Sequence, residues 1–198
     1  MATIEYFLFP LSSYSYLAGL RLEEIAARRG ATIVYKPFQV QQVYAAVGTP
    51  NVADRHPSRQ AYRLQDLARV ARAVGLPINL RPAHWPTNPA PASAAIVAAQ
   101  AAGGGDLGGF VHGVLKAVWA EDRDIADDAV IRDLLGAHGF DAALADRGLV
   151  AGMAALERNT EEAIRRGVFG APSYLVDGEV FWGQDRLDLL DARLGEGG

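Results

Sequence analysis

The chain has no cysteine among its 198 residues. This excludes disulfides, thiolate metal sites and a cysteine nucleophile together. Histidine is scarce as well. His56, His84, His112 and His138 are scattered without ligand spacing, so no metal site is expected. No uninterrupted apolar run reaches about 18 residues, which leaves no membrane span to expect. Nor does the sequence open with a basic segment leading into an apolar one. Thr3 to Phe9 already reads as a strand, so no signal peptide is expected and the expected location is cytoplasmic. Basic residues are not in excess either. The net charge of −4 gives no electrostatic footprint for nucleic acid.

What is present has the pattern of an α/β protein. Thr3 to Phe9 is rich in β-branched and aromatic residues, as suits a strand buried on both faces. A helix is predicted from Ser12 or Ser13 to about Arg29, where Gly30 would end it. Its predicted core side carries Leu17, Leu20, Ile25 and Ala26. Thr32 to Tyr35 forms a second strand, stopped by Pro37, and the three elements make a βαβ unit with parallel strands. From about Gln42 the strand signals vanish. Arg59 to Val74 has helical spacing, with Tyr62, Leu64, Leu67, Val70, Ala71 and Val74 as an apolar stripe. Arg63, Asp66, Arg69 and Arg72 fall outside that stripe.

A proline-rich loop follows, then Ala-rich and shorter helices as far as Arg166. Ser173 to Val176 and Glu179 to Trp182 are strands around Asp177-Gly178, a pair favoured in two-residue hairpins. Asp185 starts a last helix, with Leu187, Leu189, Leu190 and Leu194 on its predicted core side. The Gly-rich end has nothing to order it. The order β-α-β, helical block, α-β-β-α is a thioredoxin-like fold interrupted by an all-helical insertion. Residues 1–41 and 149–198 would form the thioredoxin-like domain, and residues 42–148 the insertion.

The turn Phe9 to Ala18 is where chemistry is expected. A strand-to-helix turn aims unpartnered helix N–H groups at whatever lies above Ser12, and such an end attracts anions. With no cysteine in the chain, an anionic sulfur there would have to arrive with a ligand. The plain alternative is that Ser12 merely caps the helix.

Two blocks carry a family resemblance. Leu11-Ser12-Ser13-Tyr14-Ser15-Tyr16-Leu17-Ala18 is similar to L-S-P-[FY]-S-Y-L-A. Gly167-Val168-Phe169-Gly170-Ala171-Pro172-Ser173, with Phe181-Trp182-Gly183-Gln184-Asp185-Arg186-Leu187, resembles V-F-G-[VA]-P-[TS] and [FW]-W-G-[NQ]-D-R-L. These are motifs of the glutathione-dependent 2-hydroxychromene-2-carboxylate isomerases, close to the kappa-class glutathione transferases in the DsbA-like branch of the thioredoxin superfamily. Ser13 stands where the family usually has proline, and Leu8, Phe9 and Pro10 where it often has aspartate.

The resemblance implies glutathione as cofactor, a small aromatic carboxylate as substrate and a homodimer. It implies an isomerase of aromatic hydrocarbon degradation. That reaction interconverts 2-hydroxychromene-2-carboxylate and trans-o-hydroxybenzylidenepyruvate by thiolate addition, bond rotation and elimination. Ser12 would hold the sulfur as thiolate. A cis Ala171-Pro172 bond would present the Ala171 backbone to the cysteinyl backbone of glutathione. Gln184 and Asp185 would take its γ-glutamyl end, with Arg186 bracing Asp185. Trp182 would wall the site or join the core. Asn51 and Asp54 are both candidates for a loop contact to glutathione.

Lys36, His84, Trp85 and Asn88 are further substrate candidates. The first sits at a strand end, where a lysine is commonly just solvated, and the others lie in the proline-rich loop. Two other readings share these residues: a kappa-like glutathione transferase or peroxidase, and a non-catalytic or glutathione-independent thioredoxin-fold paralogue.

Overall fold

A computed structural model describes residues 1–196. Gly197 and Gly198 of the glycine-rich end lie outside the described residues. Four strands form one mixed sheet in the order β2-β1-β3-β4. Strand β1 (Thr3–Leu8) runs parallel to β2 (Thr32–Pro37), with Tyr6 opposite Tyr35. It runs antiparallel to β3 (Ser173–Val176), with Tyr6 opposite Tyr174. Strand β4 (Glu179–Trp182) completes the edge. All four residues of β3 are buried, as an interior strand covered on both faces requires. The β3–β4 turn uses Asp177 and Gly178, both at positive φ (51° and 87°), the conformation that matches hairpin twist. This is the thioredoxin arrangement.

The first helix departs from the expected single rod. It is split into α1 (Ser13–Leu17) and α2 (Arg21–Arg29). Between them Gly19 takes a φ of +63°, which breaks the ladder and re-aims the chain. As a result Leu20 is exposed rather than core. Beyond β2 the chain forms α3 (Val40–Val47), α4 (Pro57–Val74), α5 (Ala90–Ala102) and α6 (Leu107–Trp119). Helices α7 (Asp128–Ala137), α8 (Leu144–Arg147) and α9 (Leu149–Arg165) follow, and α10 (Leu187–Gly195) ends the fold. Asp106 and Asp127 cap α6 and α7 through side-chain bonds to the amides of Gly109 and Ala129, both at 2.9 Å.

The helical block is an insertion in the chain but not in the packing. Helix α5 lies against α9 and β2, and one apolar cluster runs from Ile4, Phe7 and Tyr174 through Ile96, Phe110 and Trp119. Small residues allow the close approach. A side chain at Gly152 on α9 would run into the backbone of Ala94 on α5 at 2.6 Å. Of the predicted core sides, Tyr62 and Leu189 point outward, while Leu67, Ala71, Leu187 and Leu190 are buried. Among the described residues no helix is long and apolar enough to cross a membrane.

Candidate active site

Four segments converge on the turn after β1. The Ser12 amide closes that turn on the Phe9 carbonyl at 2.8 Å. The Ser12 hydroxyl then accepts from the Ser15 amide at 3.1 Å and donates to the Ala171 carbonyl at 3.2 Å. So Ser12 does cap α1, and its proton points across the cleft to the segment before β3. The peptide bond Ala171–Pro172 is cis. The Gly183 amide donates to the Pro172 carbonyl at 2.9 Å, which ties the end of β4 to the same wall. From the proline-rich loop, Trp85 donates its indole N–H to the Leu11 carbonyl at 3.1 Å. From α4, Arg63 donates to the Ser13 hydroxyl at 2.9 Å.

Because α1 is only five residues long, a long macrodipole cannot supply the positive potential at Ser12. What remains is local. The Ser13 and Tyr14 amides have no carbonyl in their own helix to donate to, and the guanidiniums of α4 lie opposite.

Two adjoining cavities open here. The larger, about 580 Å³, is bounded by Tyr62, Trp182, Gln184, Asp185 and Arg186 among others. The smaller, about 290 Å³, is lined by Ser12, Ser13, Asn51, Trp85 and apolar neighbours such as Phe9, Leu11 and Val40. Ala171, Tyr14, Tyr44, Arg55 and Arg63 line both. Asp185 does not cap α10, which starts at Leu187 without a side-chain cap. Its carboxylate lies in the larger cavity, with Arg186 donating to it at 2.7 Å. Gln184 is buried, and its carbonyl accepts from Arg21 at 3.3 Å. Trp182 is half exposed, a wall rather than core, with its ring against Phe169 at 4.9 Å.

Tyr14 donates to Asp66 at 2.9 Å. Burial, together with that bond to a carboxylate, raises its phenol well above the ordinary value, so it stays protonated near neutrality. In this site it stands as a hydrogen-bond donor, with Asp66 as its acceptor.

Several expected site residues lie elsewhere. Lys36 is neither at the cavities nor solvated. Its ammonium donates to Glu5 at 2.6 Å and to Glu162 at 2.8 Å. The neighbouring Arg166 donates to Glu162 at 3.1 Å. This ion cluster joins β1, β2 and the end of α9. A cation so paired has no free charge to offer a substrate. His84 faces Asp124 at 3.8 Å on the outside of its loop, and Asn88 accepts from the Ala90 amide at 3.1 Å at the start of α5. Neither lines either cavity; from this loop, Trp85 and Pro86 do. Of the two loop candidates, Asn51 lines the smaller cavity. Asp54 accepts from the Asn51 amide group at 3.2 Å and lines neither.

Arg63 is the residue that the apolar pattern hides. Its guanidinium carbon lies 5.3 Å from the ring centre of Trp85 and 5.5 Å from that of Trp119, a cation–π arrangement. A signal for it existed. Arg63 stands four residues before Leu67, which stands four before Ala71, and those two are the buried positions of α4. The buried row therefore continues one turn further and delivers Arg63 into the cleft.

Residues 3–195 match the family model of the DSBA-like thioredoxin domain. The chain is 30% identical to a 2-hydroxychromene-2-carboxylate isomerase of Sphingobium xenophagum over 195 residues, covering 97% of both chains. It is 31% identical to one of Pseudomonas putida, over 97% of this chain and 94% of that one. A solved selenomethionine 2-hydroxychromene-2-carboxylate isomerase superposes with a TM-score of 0.78 at 28% identity, over 98% of this chain and 95% of the other.

Proposed function

The chain belongs to the 2-hydroxychromene-2-carboxylate isomerase family of DSBA-like thioredoxin-domain proteins, and we propose that it is a glutathione-dependent isomerase of that chromene and trans-o-hydroxybenzylidenepyruvate. One observation carries the glutathione part. Where a thioredoxin-like redox enzyme has its cysteines, this chain sets a serine hydroxyl, facing the Ala171–Pro172 backbone at the junction of two cavities. A site built like this, in a chain without cysteine, is suited to a borrowed thiol.

The residues present fit the tripeptide. The larger cavity carries a carboxylate, Asp185, for an α-amino group, and arginines for carboxylates. Ala171 offers backbone donor and acceptor positions of the kind that pair with an extended peptide. Bound there, glutathione supplies a thiolate nucleophile able to make the substrate's double bond rotatable.

This chain's residues do the rest. The Ser12 hydroxyl redirects its proton from the Ala171 carbonyl to the anion, while the Ser15 amide keeps its oxygen in place. The first amides of α1 add donors. The smaller cavity, walled by Phe9, Leu11, Val40 and Trp85, takes a flat aromatic ring and keeps water from it.

The test is turnover of the chromene with and without glutathione. Thiol-dependent isomerisation is the expected result, and equal turnover without thiol removes the proposal. Faster conjugation of an aryl halide than isomerisation would point to the transferase reading instead.

A further inference from the structure

Arg63 presents a charge without a countercharge. Among the described residues, no carboxylate lies within 4.0 Å of it, and the same holds for Arg55 on the shared wall. The nearest acid on its helix, Asp66, is already engaged by Tyr14 and faces Arg69 at 3.6 Å. Arg63 is instead held by the Ser13 hydroxyl and by two indole faces, Trp85 at the cavity and fully buried Trp119 behind it. Burial and the nearby positive Arg55 lower its pKa, although the aromatic hydroxyls of Tyr14 and Tyr44 oppose that. Arg63 makes one side-chain hydrogen bond and lines the smaller cavity, so its guanidinium keeps donors to spare there, and desolvating such a charge is costly unless an anion completes it.

Resting on the proposed function, we propose that Arg63, braced by Ser13, receives the carboxylate of the aromatic substrate in the smaller cavity. The geometry suits a planar acid. The ring would lie among Phe9, Leu11, Val40 and Trp85, and its carboxylate would reach the planar fork of Arg63 on the wall. Ser13 acts through Arg63 as a positioning residue. A proline at that position has no hydroxyl to accept the Arg63 bond, so the serine gives this chain a way to fix the fork next to Ser12.

The test reads binding, not turnover, and therefore stands apart from the isomerase assay. Trans-cinnamate and its neutral analogue cinnamamide are titrated calorimetrically into the wild-type protein and into Arg63→Met, with and without saturating glutathione. The wild type is expected to prefer the acid by about tenfold or more, and Arg63→Met to erase that preference. Ser13→Ala, which keeps the charge, is expected to shrink the preference a few-fold. Arg63→Lys keeps the charge at the site should Arg63→Met fail to fold, and is expected to retain part of the preference.

Equal affinity of the wild type for acid and amide overturns the assignment, as does an intact preference in Arg63→Met. If Arg63→Met instead loses glutathione affinity while still preferring cinnamate, the anion is glutathione's own carboxylate, and the assignment also fails. A protein that binds the acid selectively yet isomerises nothing would support Arg63 and refute only the isomerase reading.

Discussion

The Ser12 hydroxyl donates to the Ala171 carbonyl across 3.2 Å, joining positions 159 residues apart. One small side chain thus does two jobs. It caps α1 and holds a proton at the point where the two cavities meet.

Ser12→Ala removes both jobs, and they are separable. The lost cap should cost about 1 kcal/mol of stability, seen in a denaturant titration. Losing the donor should lower the chromene turnover number by about 10²-fold and raise the pKa of bound glutathione, read from thiolate ultraviolet absorbance. A variant with normal thiolate absorbance would show that Ser12 is only a cap.

Gly183 holds a backbone conformation that other residues rarely adopt. Its φ is +110°, and a methyl there would sit 2.5 Å from an Asp185 carboxylate oxygen. Gly183→Ala should therefore destabilise the fold by about 1–3 kcal/mol. It should also weaken glutathione binding, because the same residue anchors Pro172 and the added methyl would displace the Asp185 carboxylate. Thermal melts and calorimetry measure the two effects, and unchanged values of both would contradict the geometry.

Asp185→Asn tests the larger cavity as the proposed seat of glutathione's γ-glutamyl end. The proposed pairing with an α-amino group predicts a loss of about tenfold or more in glutathione affinity. Glutathione acetylated on that amine should bind both proteins alike. If the variant discriminates against the acetylated ligand as the wild type does, Asp185 does not meet the amine.

The Lys36 cluster sets a pH dependence. Burial opposes ionisation of Glu162, but hydrogen bonds from Lys36 and Arg166 outweigh it and hold the carboxyl below its ordinary value. A depressed folded-state pKa means the stabilisation is present above the unfolded-state value. It is lost as the pH falls through the folded one. Stability should therefore begin to drop below about pH 4.3. Glu162→Gln should cost about 1–3 kcal/mol at neutral pH and flatten that acid limb in urea titrations. An acid limb identical to the wild type's would mean that other carboxylates set it.

Glu23 gives the opposite sign. Burial raises its carboxyl above the ordinary value, and although Tyr35 donates to one oxygen at 2.7 Å, the other is buried without a partner. Its stabilisation is full below the unfolded-state pKa and lost as pH rises through the folded one. Glu23→Gln should therefore raise the melting temperature at neutral pH and leave it little changed near pH 4, which scanning calorimetry can check.

The strands, the hairpin and most helix bounds were legible because each depends on local rules. Asp177-Gly178 needs positive φ, and Asp106 and Asp127 have amides to cap. The helix break at Gly19 is not legible in the sequence, since glycine within a helical pattern also occurs in continuous helices.

The sequence by itself excluded one class of chemistry. A chain without cysteine that sets Ser12 at a strand-to-helix turn cannot do its own thiol redox chemistry, and no packing changes that. Tertiary structure decided which charges are free. Lys36 looked available and is spent on Glu5 and Glu162, whereas Arg63 looked like solvated surface and stands in the cleft facing two tryptophans. Helical spacing places a charge on a face, but what that face meets depends on distant segments. Only the folded chain shows whether the meeting partner is an acid, an aromatic ring or an open cavity.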